Sequence, residues 1–371
     1  MTTIRVHLPG TAAASDLAND RSYDIVCGGG TLRSIGGLVR DAGGRRAVVV
    51  SDAAVVTTHA AQVLASLVTA GVDAALLEVP CGEASKSIDA AGCLWNEFAR
   101  QAVDRDTHVV AVGGGVVGDL AGFVAATFAR GLSVWQVPTT LVAQVDSAIG
   151  GKTGINLESG KNLVGVFWQP RGVVADIDTL ATLPPREFIS GLAEVVKYGM
   201  IIDAAFFAWL EEHAAAILAR ESAALTHAVE RSAAIKADVV GRDEREISGL
   251  RAALNYGHTF AHAYETAAGF GTLLHGEAVA IGMARAARLA ERLGRLSHDV
   301  VARQDALLRL LQLPVAPPAG LHDAAPLIAI MGRDKKTVGG KLRFVLPSRI
   351  GHVELVDGVP DDVVHAVLQQ A

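Results

Sequence analysis

The chain has few cysteines, few aromatic residues and no excess of positive charge. Its three cysteines are odd in number and lack CxxC spacing, which argues against a disulfide framework and against a cysteine-based zinc or redox motif. The formal net charge of −6 argues against sequence-independent nucleic-acid binding, which needs an extended basic face. We therefore expect no nucleic-acid partner, and any anionic ligand must be held by local lysines and arginines.

Long apolar runs are also missing. The most apolar stretch, residues 109–126, is interrupted by glycines and by Asp119, and the N-terminus has no basic segment followed by an apolar core. We predict a soluble, cytoplasmic protein with no membrane partner. With 371 residues and 50% hydrophobic content, the chain is long enough for two globular domains that share a cleft.

Short β-branched runs alternate with alanine- and leucine-rich segments in the first half. This alternation is typical of parallel strands joined by crossover helices. The predicted strands are Tyr23–Cys27, Ala47–Ser51, Ala74–Val79, Thr107–Val112, Val134–Pro138 and Val173–Asp176. The pattern predicts an α/β fold whose first domain, residues 1–182, is an open, mostly parallel, dinucleotide-binding sheet.

Helical periodicity replaces the strand signals after the segment Leu183-Pro184-Pro185. The predicted helices include Ala204–Arg220, Leu225–Val240, Ala252–Ala267 and Gly276–Leu293. Two short strands, Leu342–Leu346 and His352–Val356, precede a last helix after Pro360. We therefore predict a second, mainly helical domain over residues 183–371, which binds the metal and the substrate.

A glycine motif follows the predicted strand that ends at Val112. Gly113, Gly115 and Gly118 form a GxGxxG sequence that opens a helix. In that context glycines let the backbone approach a pyrophosphate, and the first helical turn offers unpaired N–H groups. A tight turn built only for packing is the alternative, and the motif alone is a weak indication.

Polar residues also follow two other predicted strands. Asp52 stands where a carboxylate can accept hydrogen bonds from ribose hydroxyls, and Glu83 and Lys86 follow the strand that ends at Val79. The alternative for Glu83 is ordinary helix capping. Together with the glycine motif, these residues favour a bound dinucleotide.

Histidines cluster in the predicted helical domain. His258 and His262 stand at i and i+4 on one helical face, and His275 follows. Glu194 lies in an apolar helical stretch, where an unpaired charge would be costly. A mixed Glu/His set suits a catalytic zinc-type metal, and spacing alone would select His258 and His262 as ligands. An ion pair between Glu194 and Lys197 is the alternative.

Lysines and arginines in several segments are candidates for anion binding. Lys152 and Lys161 stand in glycine-rich sequence that predicts turns, in which backbone N–H groups and an ammonium together hold phosphate or carboxylate. For any single lysine, simple solvation is the alternative. The further candidate cations are Arg130, Lys197, Lys236, Arg251, Arg333, Lys335 and Lys336.

Long ordered segments of both halves resemble the 3-dehydroquinate synthase family of sugar-phosphate cyclases. They read GGGVVGDLAGFVAATFARG, QVPTTLVAQVDSAIGGKTGINLESGKNLVG, GLAEVVKYG, LRAALNYGHTFAHA, LHGEAVAIGM and RDKK. The resemblance runs from about residue 45 to the end. The stretch before Gly249 is one residue longer than the corresponding segment expected in this family.

The resemblance implies conversion of 3-deoxy-D-arabino-heptulosonate 7-phosphate to 3-dehydroquinate and phosphate. The family's steps are transient oxidation by NAD, phosphate elimination, re-reduction, ring opening and intramolecular aldol closure. A homodimer with NAD and Zn²⁺ or Co²⁺ is expected. The implied metal ligands are Glu194, His258 and His275, which replaces the choice made from spacing.

The resemblance also assigns site residues in both domains. Those implied to surround the phosphorylated sugar-acid substrate are Arg130, Asp146, Lys152, Asn162, Lys197, Lys236, Arg251, Asn255, His262 and Lys335 or Lys336. Those implied to bind NAD are Asp52, Glu83, Lys86, Gly114, Gly115, Asp119, Thr139, Thr140, Lys152, Lys161 and Thr179.

Three other functions compete with this interpretation. A sibling cyclase that forms an aminated or inosose-type ring would use the same metal and NAD. A metal-dependent alcohol dehydrogenase would share the architecture but turn NAD over. A non-catalytic sensor would keep the pockets without needing Glu194, His258 and His275.

Overall fold

The chain folds into two compact units. The computed structural model describes residues 1–8, 20–158, 160–247, 249–269, 271–333 and 342–370. Unit 1 comprises Met1–Leu183 and Leu225–Arg245, and unit 2 comprises Pro184–Ala224 and Glu246–Ala371. The sequence placed all residues from 183 onward in one domain, whereas Leu225–Arg245 packs with unit 1.

The secondary structure alternates in the first half and is mainly helical in the second. The strands are β1 (Thr2–Val6), β2 (Tyr23–Gly28), β3 (Arg46–Asp52), β4 (Asp73–Val79), β5 (Thr107–Gly113), β6 (Ser133–Pro138), β7 (Lys152–Leu157), β8 (Gly160–Phe167), β9 (Gly172–Asp176), β10 (Arg343–Arg349) and β11 (His352–Asp357). The α-helices are α1 (Ile35–Asp41), α2 (Ala61–Thr69), α3 (Ile88–Arg100), α4 (Gly115–Thr127), α5 (Pro185–Ile201), α6 (Ala204–Leu218), α7 (Ser222–Arg242), α8 (His258–Ala268), α9 (His275–Arg292), α10 (His298–Leu310), α11 (Ala324–Arg333) and α12 (Asp361–Leu368).

Unit 1 is built on a seven-stranded sheet with the order β1-β2-β9-β6-β5-β3-β4. Strand β1 pairs antiparallel with β2, and all other neighbours pair in parallel. The predicted α/β class with an open, mostly parallel sheet is confirmed. After β3 the chain moves outward to β4 and then returns to the other side of β3 to form β5, so the strand order reverses between β3 and β5.

Both faces of this sheet are covered, which explains why its strands read as continuous apolar runs. Along β3, Val48 and Val50 pack into the core cluster that contains α3 and α4, whereas Val49 packs into the cluster that contains α1 and α2. Alternate side chains of a strand point to opposite faces, so each β-branched residue is used by one core or the other.

A β-hairpin formed by β7 and β8 lies in the connection from β6 to β9. The sequence predicted glycine-rich turns here, but Lys152 begins β7 and Lys161 lies in β8. Two glycines of the hairpin, Gly154 and Gly165, serve strand pairing. A Cβ on Gly154 would stand 2.6 Å from the Val164 carbonyl oxygen, and one on Gly165 would stand 2.3 Å from that of Thr153. Gly150 and Gly151, with φ +99 and +67, form the bend that leads into β7, so the predicted turn lies immediately before Lys152 rather than at the lysines themselves.

Helix α7 belongs to unit 1 because its apolar face packs on the sheet near strand β2. Ala233, Ala237 and Val240 pack in one buried cluster with Tyr23 and Ile25 of β2. Their spacing places them on one helical face. The segment therefore contributes Lys236 to unit 1.

Unit 2 is organised around two helices that are buried on nearly all sides. In α5 every residue from Ser190 to Ile201 is buried, and in α9 every residue from Ala278 to Ala287 is buried. Strands β10 and β11 form an antiparallel hairpin, near the predicted positions. Among the helices of the described ranges, none is both long and apolar enough to cross a membrane.

The segment predicted as one helix over Ala252–Ala267 is divided. Residues Leu250–Asn255 form a 3-10 helix, and α8 begins only at His258. Gly257 between them has φ +78, and a Cβ there would stand 2.7 Å from the Met283 backbone nitrogen. Only glycine suits a left-handed position this close to another helix, and the resulting turn sets the direction in which α8 departs.

Candidate functional site

The carboxyl ends of the parallel strands gather the residues predicted for the nucleotide. Asp52 ends β3, Gly114 and Gly115 follow β5, and Thr139 follows β6. In open α/β sheets ligands bind beyond these ends, at the point where the strand order reverses. That point lies between β3 and β5 in unit 1.

The glycine motif combines backbone access with close packing. A Cβ on Gly118 would stand 2.7 Å from Gln136 Oε1, and one on Gly114 would stand 3.1 Å from Thr140 Cγ2. The third glycine therefore allows α4 to pack on β6. Beside Gly115 lies the Ser147 hydroxyl, whose oxygen is buried and has no hydrogen-bond partner among the described residues. The first N–H groups of α4 and this hydroxyl suit a phosphate-containing ligand.

Lys86 is the centre of a charged cluster at the same edge. Its Nζ lies 2.6 Å from Asp119 Oδ2, 2.5 Å from Asn162 Oδ1 and 3.8 Å from Glu83 Oε1. Burial raises the pKa of the Asp119 carboxyl, and the Lys86 ammonium acts in the opposite direction. Predicted nucleotide residues and the predicted substrate residue Asn162 are thus in direct contact.

Three further nucleotide predictions, Asp52, Thr139 and Thr140, lie at hydrogen-bonded strand ends and turns. Asp52 Oδ1 accepts from the Ala54 backbone N–H at 3.0 Å, and Thr140 Oγ1 accepts from that of Ala143 at 3.2 Å. The Thr139 backbone N–H donates to the Gly113 carbonyl at 2.9 Å, which joins the ends of β6 and β5. These hydrogen bonds fix the backbone conformation at the three residues.

Two predicted substrate cations of unit 1, Lys236 and Arg130, differ in position, because Arg130 stands between α4 and the start of β6, at the amino ends of the strands. Lys236 Nζ lies 2.6 Å from both the Asp146 carbonyl oxygen and its Oδ1, although the two residues are distant in sequence. Arg130 is exposed and has φ +70, directly after Ala129 with φ +49. Two consecutive left-handed, non-glycine residues store backbone strain at a predicted substrate residue.

Unit 2 brings one carboxylate and two imidazoles together. Glu194 of α5, His258 of α8 and His275 of α9 each offer a ligand atom, and these atoms lie within 4.8 Å of one another. Glu194 Oε1 lies 3.6 Å from His258 Nε2 and 3.3 Å from His275 Nε2. Two nitrogens and one oxygen with open positions form a donor set that fits catalytic Zn²⁺ and similar metals.

The approach of α9 to α5 depends on a glycine next to a ligand position. A Cβ on Gly276 would stand only 1.7 Å from the Ser190 carbonyl oxygen. The Gly276 backbone N–H also donates to Ser190 Oγ at 3.0 Å. Ser190 precedes Glu194 by one helical turn, so this contact sets the distance between Glu194 and His275.

Both imidazoles are oriented by groups behind them. His258 Nδ1 lies 3.1 Å from the Tyr256 carbonyl oxygen, and His275 Nδ1 lies 3.7 Å from Glu265 Oε1. Such partners fix the tautomer and aim Nε2 at the metal. Burial lowers the pKa of His275, but its hydrogen bonds to Glu194 and Glu265 outweigh burial and raise the pKa to about 10. The surroundings therefore favour a positive charge at this point.

Glu194 takes part in both arrangements that the sequence left open. Its Oε2 contacts the Lys197 ammonium, while its Oε1 faces the two imidazoles. Glu194 is 0% exposed and Lys197 1% exposed. The ion pair and the Glu/His cluster therefore coexist, because the two carboxylate oxygens have different neighbours.

The other substrate predictions in unit 2 lie around the turn that precedes α8. Arg251 is buried, and its Nε lies 3.6 Å from Glu246 Oε1. Asn255 ends the same 3-10 helix. The His262 ring centroid lies 5.7 Å from that of His258. Lys335 and Lys336 lie outside the described residues.

Comparison with known proteins identifies the family. The model of the 3-dehydroquinate synthase N-terminal region matches residues 76–190, and that of the C-terminal region matches residues 191–337. A 3-dehydroquinate synthase of Rhodopirellula baltica is 52% identical over 323 residues, which cover 86% of this chain and 85% of that protein. One of Laribacter hongkongensis is 49% identical over 350 residues, covering 94% and 96%. The chain belongs to the 3-dehydroquinate synthase family.

Solved structures of sibling cyclases share the fold of this 3-dehydroquinate synthase family member. The 2-epi-5-epi-valiolone synthase ValA of Streptomyces hygroscopicus, with NAD⁺ and Zn²⁺ bound, has a TM-score of 0.85 and 29% identity, covering 97% of this chain and 98% of its own. A 2-deoxy-scyllo-inosose synthase with carbaglucose-6-phosphate, NAD⁺ and Co²⁺ has a TM-score of 0.87 and 26% identity, covering 99% of both chains.

Two residues that the sequence analysis did not select support the 3-dehydroquinate synthase family site. Glu265 stands behind His275, as described above. Gln144 is 0% exposed, and its Nε2 donates to the Asp176 carbonyl at 2.8 Å and to Thr179 Oγ1 at 3.1 Å. Sequence offers no signal for Gln144, because its partners come from a distant strand end. Glu265 is signalled only by its position one turn after His262.

Proposed function

We propose that this chain is a 3-dehydroquinate synthase that converts 3-deoxy-D-arabino-heptulosonate 7-phosphate to 3-dehydroquinate and phosphate. The observation that carries the proposal is the cluster of Glu194, His258 and His275. The same chain has a mostly parallel sheet with the proposed nucleotide residues at the carboxyl ends of its strands. Transient oxidation and re-reduction need the nucleotide, and polarisation of the hydroxyl being oxidised needs the metal. The 52% and 49% identities to proteins of this name support the same conclusion.

The proposed nucleotide is NAD, held by the carboxyl edge of unit 1. Bound NAD would oxidise a substrate hydroxyl and later return the hydride. Gly114, Gly115 and the Ser147 hydroxyl suit its pyrophosphate, and Asp52 suits a ribose. The other proposed contacts are Glu83, Lys86, Asp119, Thr139, Thr140, Lys152, Lys161 and Thr179. Residues 1–182 therefore form the proposed NAD domain.

The proposed metal is Zn²⁺ or Co²⁺, held by Glu194, His258 and His275. When bound, such an ion polarises a substrate oxygen as a Lewis acid. Tyr256 and Glu265 contact the Nδ1 atoms of the imidazoles, so that each Nε2 would bind the ion, and the Lys197 ammonium contacts the second Glu194 oxygen. The metal and most substrate contacts are thus proposed for residues 183–371, with Lys236 packed in unit 1.

The proposed substrate residues provide several cations in an acidic chain. A phosphorylated sugar acid carries a phosphate and a carboxylate, and both need positively charged partners. The proposed set is Arg130, Asp146, Lys152, Asn162, Lys197, Lys236, Arg251, Asn255, His262 and Lys335 or Lys336. Asp146 holds the Lys236 ammonium in place. Loss of phosphate beside a newly formed ketone needs only a weak base, so these residues act mainly by positioning.

A substrate panel tests this proposal against the sibling cyclases. Purified protein supplied with NAD and Zn²⁺ is incubated separately with 3-deoxy-D-arabino-heptulosonate 7-phosphate, its amino analogue, a heptulose 7-phosphate without a carboxylate, and glucose 6-phosphate. We expect phosphate and 3-dehydroquinate in equal amounts from the first compound. A kcat/KM higher for any other compound would contradict the proposal.

We also propose a cytoplasmic homodimer. The hairpin exposes Leu163, Val164 and Val166 at 37% each, Phe167 at 38% and Leu157 at 43%. Adjacent exposed apolar side chains of this kind are typical of an interface, and a second copy of the chain is the proposed occupant. We expect Val164→Glu to shift the protein from dimer toward monomer in sedimentation velocity, whereas Glu158→Gln leaves the dimer intact. A wild-type monomer at micromolar concentration would contradict this proposal.

A further inference from the structure

The β7–β8 hairpin is irregular at Asn156. Ile155 pairs with Val164 and Leu157 pairs with Gly160, so residues 161–163 of β8 lie opposite Asn156 alone and form a bulge. A bulge redirects side chains of the strand that carries it, and bulges are frequent beside active sites. Opposite this bulge the Asn156 side chain is half-buried.

Asn156 uses its backbone N–H and both ends of its side chain. Its backbone N–H donates to the Lys86 carbonyl at 2.8 Å. Its Nδ2 donates to Glu83 Oε1 at 2.7 Å, and its Oδ1 accepts from the Asn162 backbone N–H at 2.9 Å. These contacts determine the amide orientation, because only the oxygen can accept from Asn162 and only the nitrogen can donate to Glu83.

Two groups hold the backbone and the side chain of Asn162. Its φ is +54, a left-handed geometry that asparagine adopts more readily than most other non-glycine residues. The Asn156 side chain holds its backbone, and Lys86 Nζ holds its side-chain oxygen at 2.5 Å. Asn156, Glu83, Lys86 and Asn162 thus form a closed circuit of contacts.

We propose that Asn156 is a positioning residue that couples the proposed nucleotide turn, Glu83 to Lys86, to the proposed substrate residue Asn162. This inference rests on the proposed function for the roles of those residues. Asn156 acts by fixing the Glu83 carboxylate and the Asn162 backbone at the same time. Nucleotide binding at the Glu83–Lys86 turn therefore orders Asn162 for the substrate.

Removal of the amide is expected to weaken both ligands. In Asn156→Ala the dissociation constant of NAD, measured by calorimetry, rises about tenfold, the effect of losing one hydrogen bond to a charged group. The KM for the phosphorylated substrate rises by about the same factor. Glu158→Gln, an exposed change on the same hairpin, leaves both constants unchanged.

A second variant separates the two contacts. Asn156→Asp keeps an acceptor for the Asn162 N–H but places a carboxylate against Glu83. We expect its NAD affinity to fall at least as far as that of Asn156→Ala, with a smaller rise in substrate KM. An Asn156→Asp protein with tighter NAD binding than Asn156→Ala would overturn the assigned roles.

The result that overturns the inference is NAD affinity within twofold of wild type in both Asn156 variants. Thermal melting and zinc titration check that each variant is folded, and the Asp variant provides the test if the Ala variant does not fold. The NAD titration needs no turnover. If wild type binds NAD but does not convert the proposed substrate, the proposed function fails while the Asn156 comparison still stands.

Discussion

A His275→Ala variant is expected to lose its divalent metal and, with it, on the order of 10³-fold or more in kcat/KM. The imidazole nitrogen lies 3.3 Å from Glu194 Oε1, so its removal leaves a site with two ligand groups. Glu194→Gln is expected to act similarly, because a neutral amide oxygen is a much weaker ligand than a carboxylate. The measurement is zinc affinity by chelator competition, followed by turnover at saturating zinc.

NAD affinity provides the control for both metal variants. The proposed NAD residues lie in unit 1, whereas Glu194, His258 and His275 lie in unit 2. We expect the NAD dissociation constant to stay within about twofold of wild type, since no nucleotide contact is changed. His298→Ala, at an exposed histidine on α10, matches the change in residue type and leaves metal content intact. Full zinc affinity in either ligand variant would refute the ligand assignment.

A Gly276→Ala variant is expected to lose zinc affinity by at least about tenfold without any ligand being changed. The added Cβ would stand 1.7 Å from the Ser190 carbonyl oxygen, a backbone atom that cannot rotate away. Helix α9 must shift away from α5, which carries His275 away from Glu194. Overpacking of this kind costs typically 1–3 kcal/mol of stability, so the urea midpoint of unfolding also falls.

Two further variants test the cause of the Gly276→Ala effect. Gly37→Ala in α1 adds the same Cβ where no atom lies within 4 Å, and we expect its stability to be equal or higher. Adding Ser190→Ala to Gly276→Ala removes the hydroxyl but not the carbonyl, so it should not restore zinc binding. Wild-type zinc affinity in Gly276→Ala would show that the helix contact does not set the ligand geometry.

The sheet of unit 1 was predictable because each strand is indicated by the residues within it and next to it. Each strand core, such as Val109 to Val112 in β5, is a short apolar run bounded by turn residues, and both faces are buried. The six parallel strands lie within about one residue of the predicted bounds. Strand β1 was not predicted, since its exposed edge position gives Thr2–Val6 a mixed pattern.

Elements whose position depends on distant partners were not predictable. Helix α7 has an ordinary helical sequence, and only its contacts with Tyr23 and Ile25 show that it belongs to unit 1. The break at Gly257 depends on Met283 of another helix. Local periodicity carries no information about either contact.

The set of metal ligands also depends on contacts between residues that are distant in sequence. Spacing along one helix selected His258 with His262, because i and i+4 residues share a face. The structure instead brings His258 next to His275 and Glu194, which come from two other helices. The sequence resemblance supplied this set, and the packing of α5, α8 and α9 explains it.

The most direct test of the central claim is phosphate release by chelator-treated protein supplied with NAD, with and without added zinc, while NADH absorbance is followed. The account predicts zinc-dependent release of phosphate from 3-deoxy-D-arabino-heptulosonate 7-phosphate with no net NADH, because the hydride returns within each turnover. Release without metal, or NADH accumulating in step with product, would contradict it.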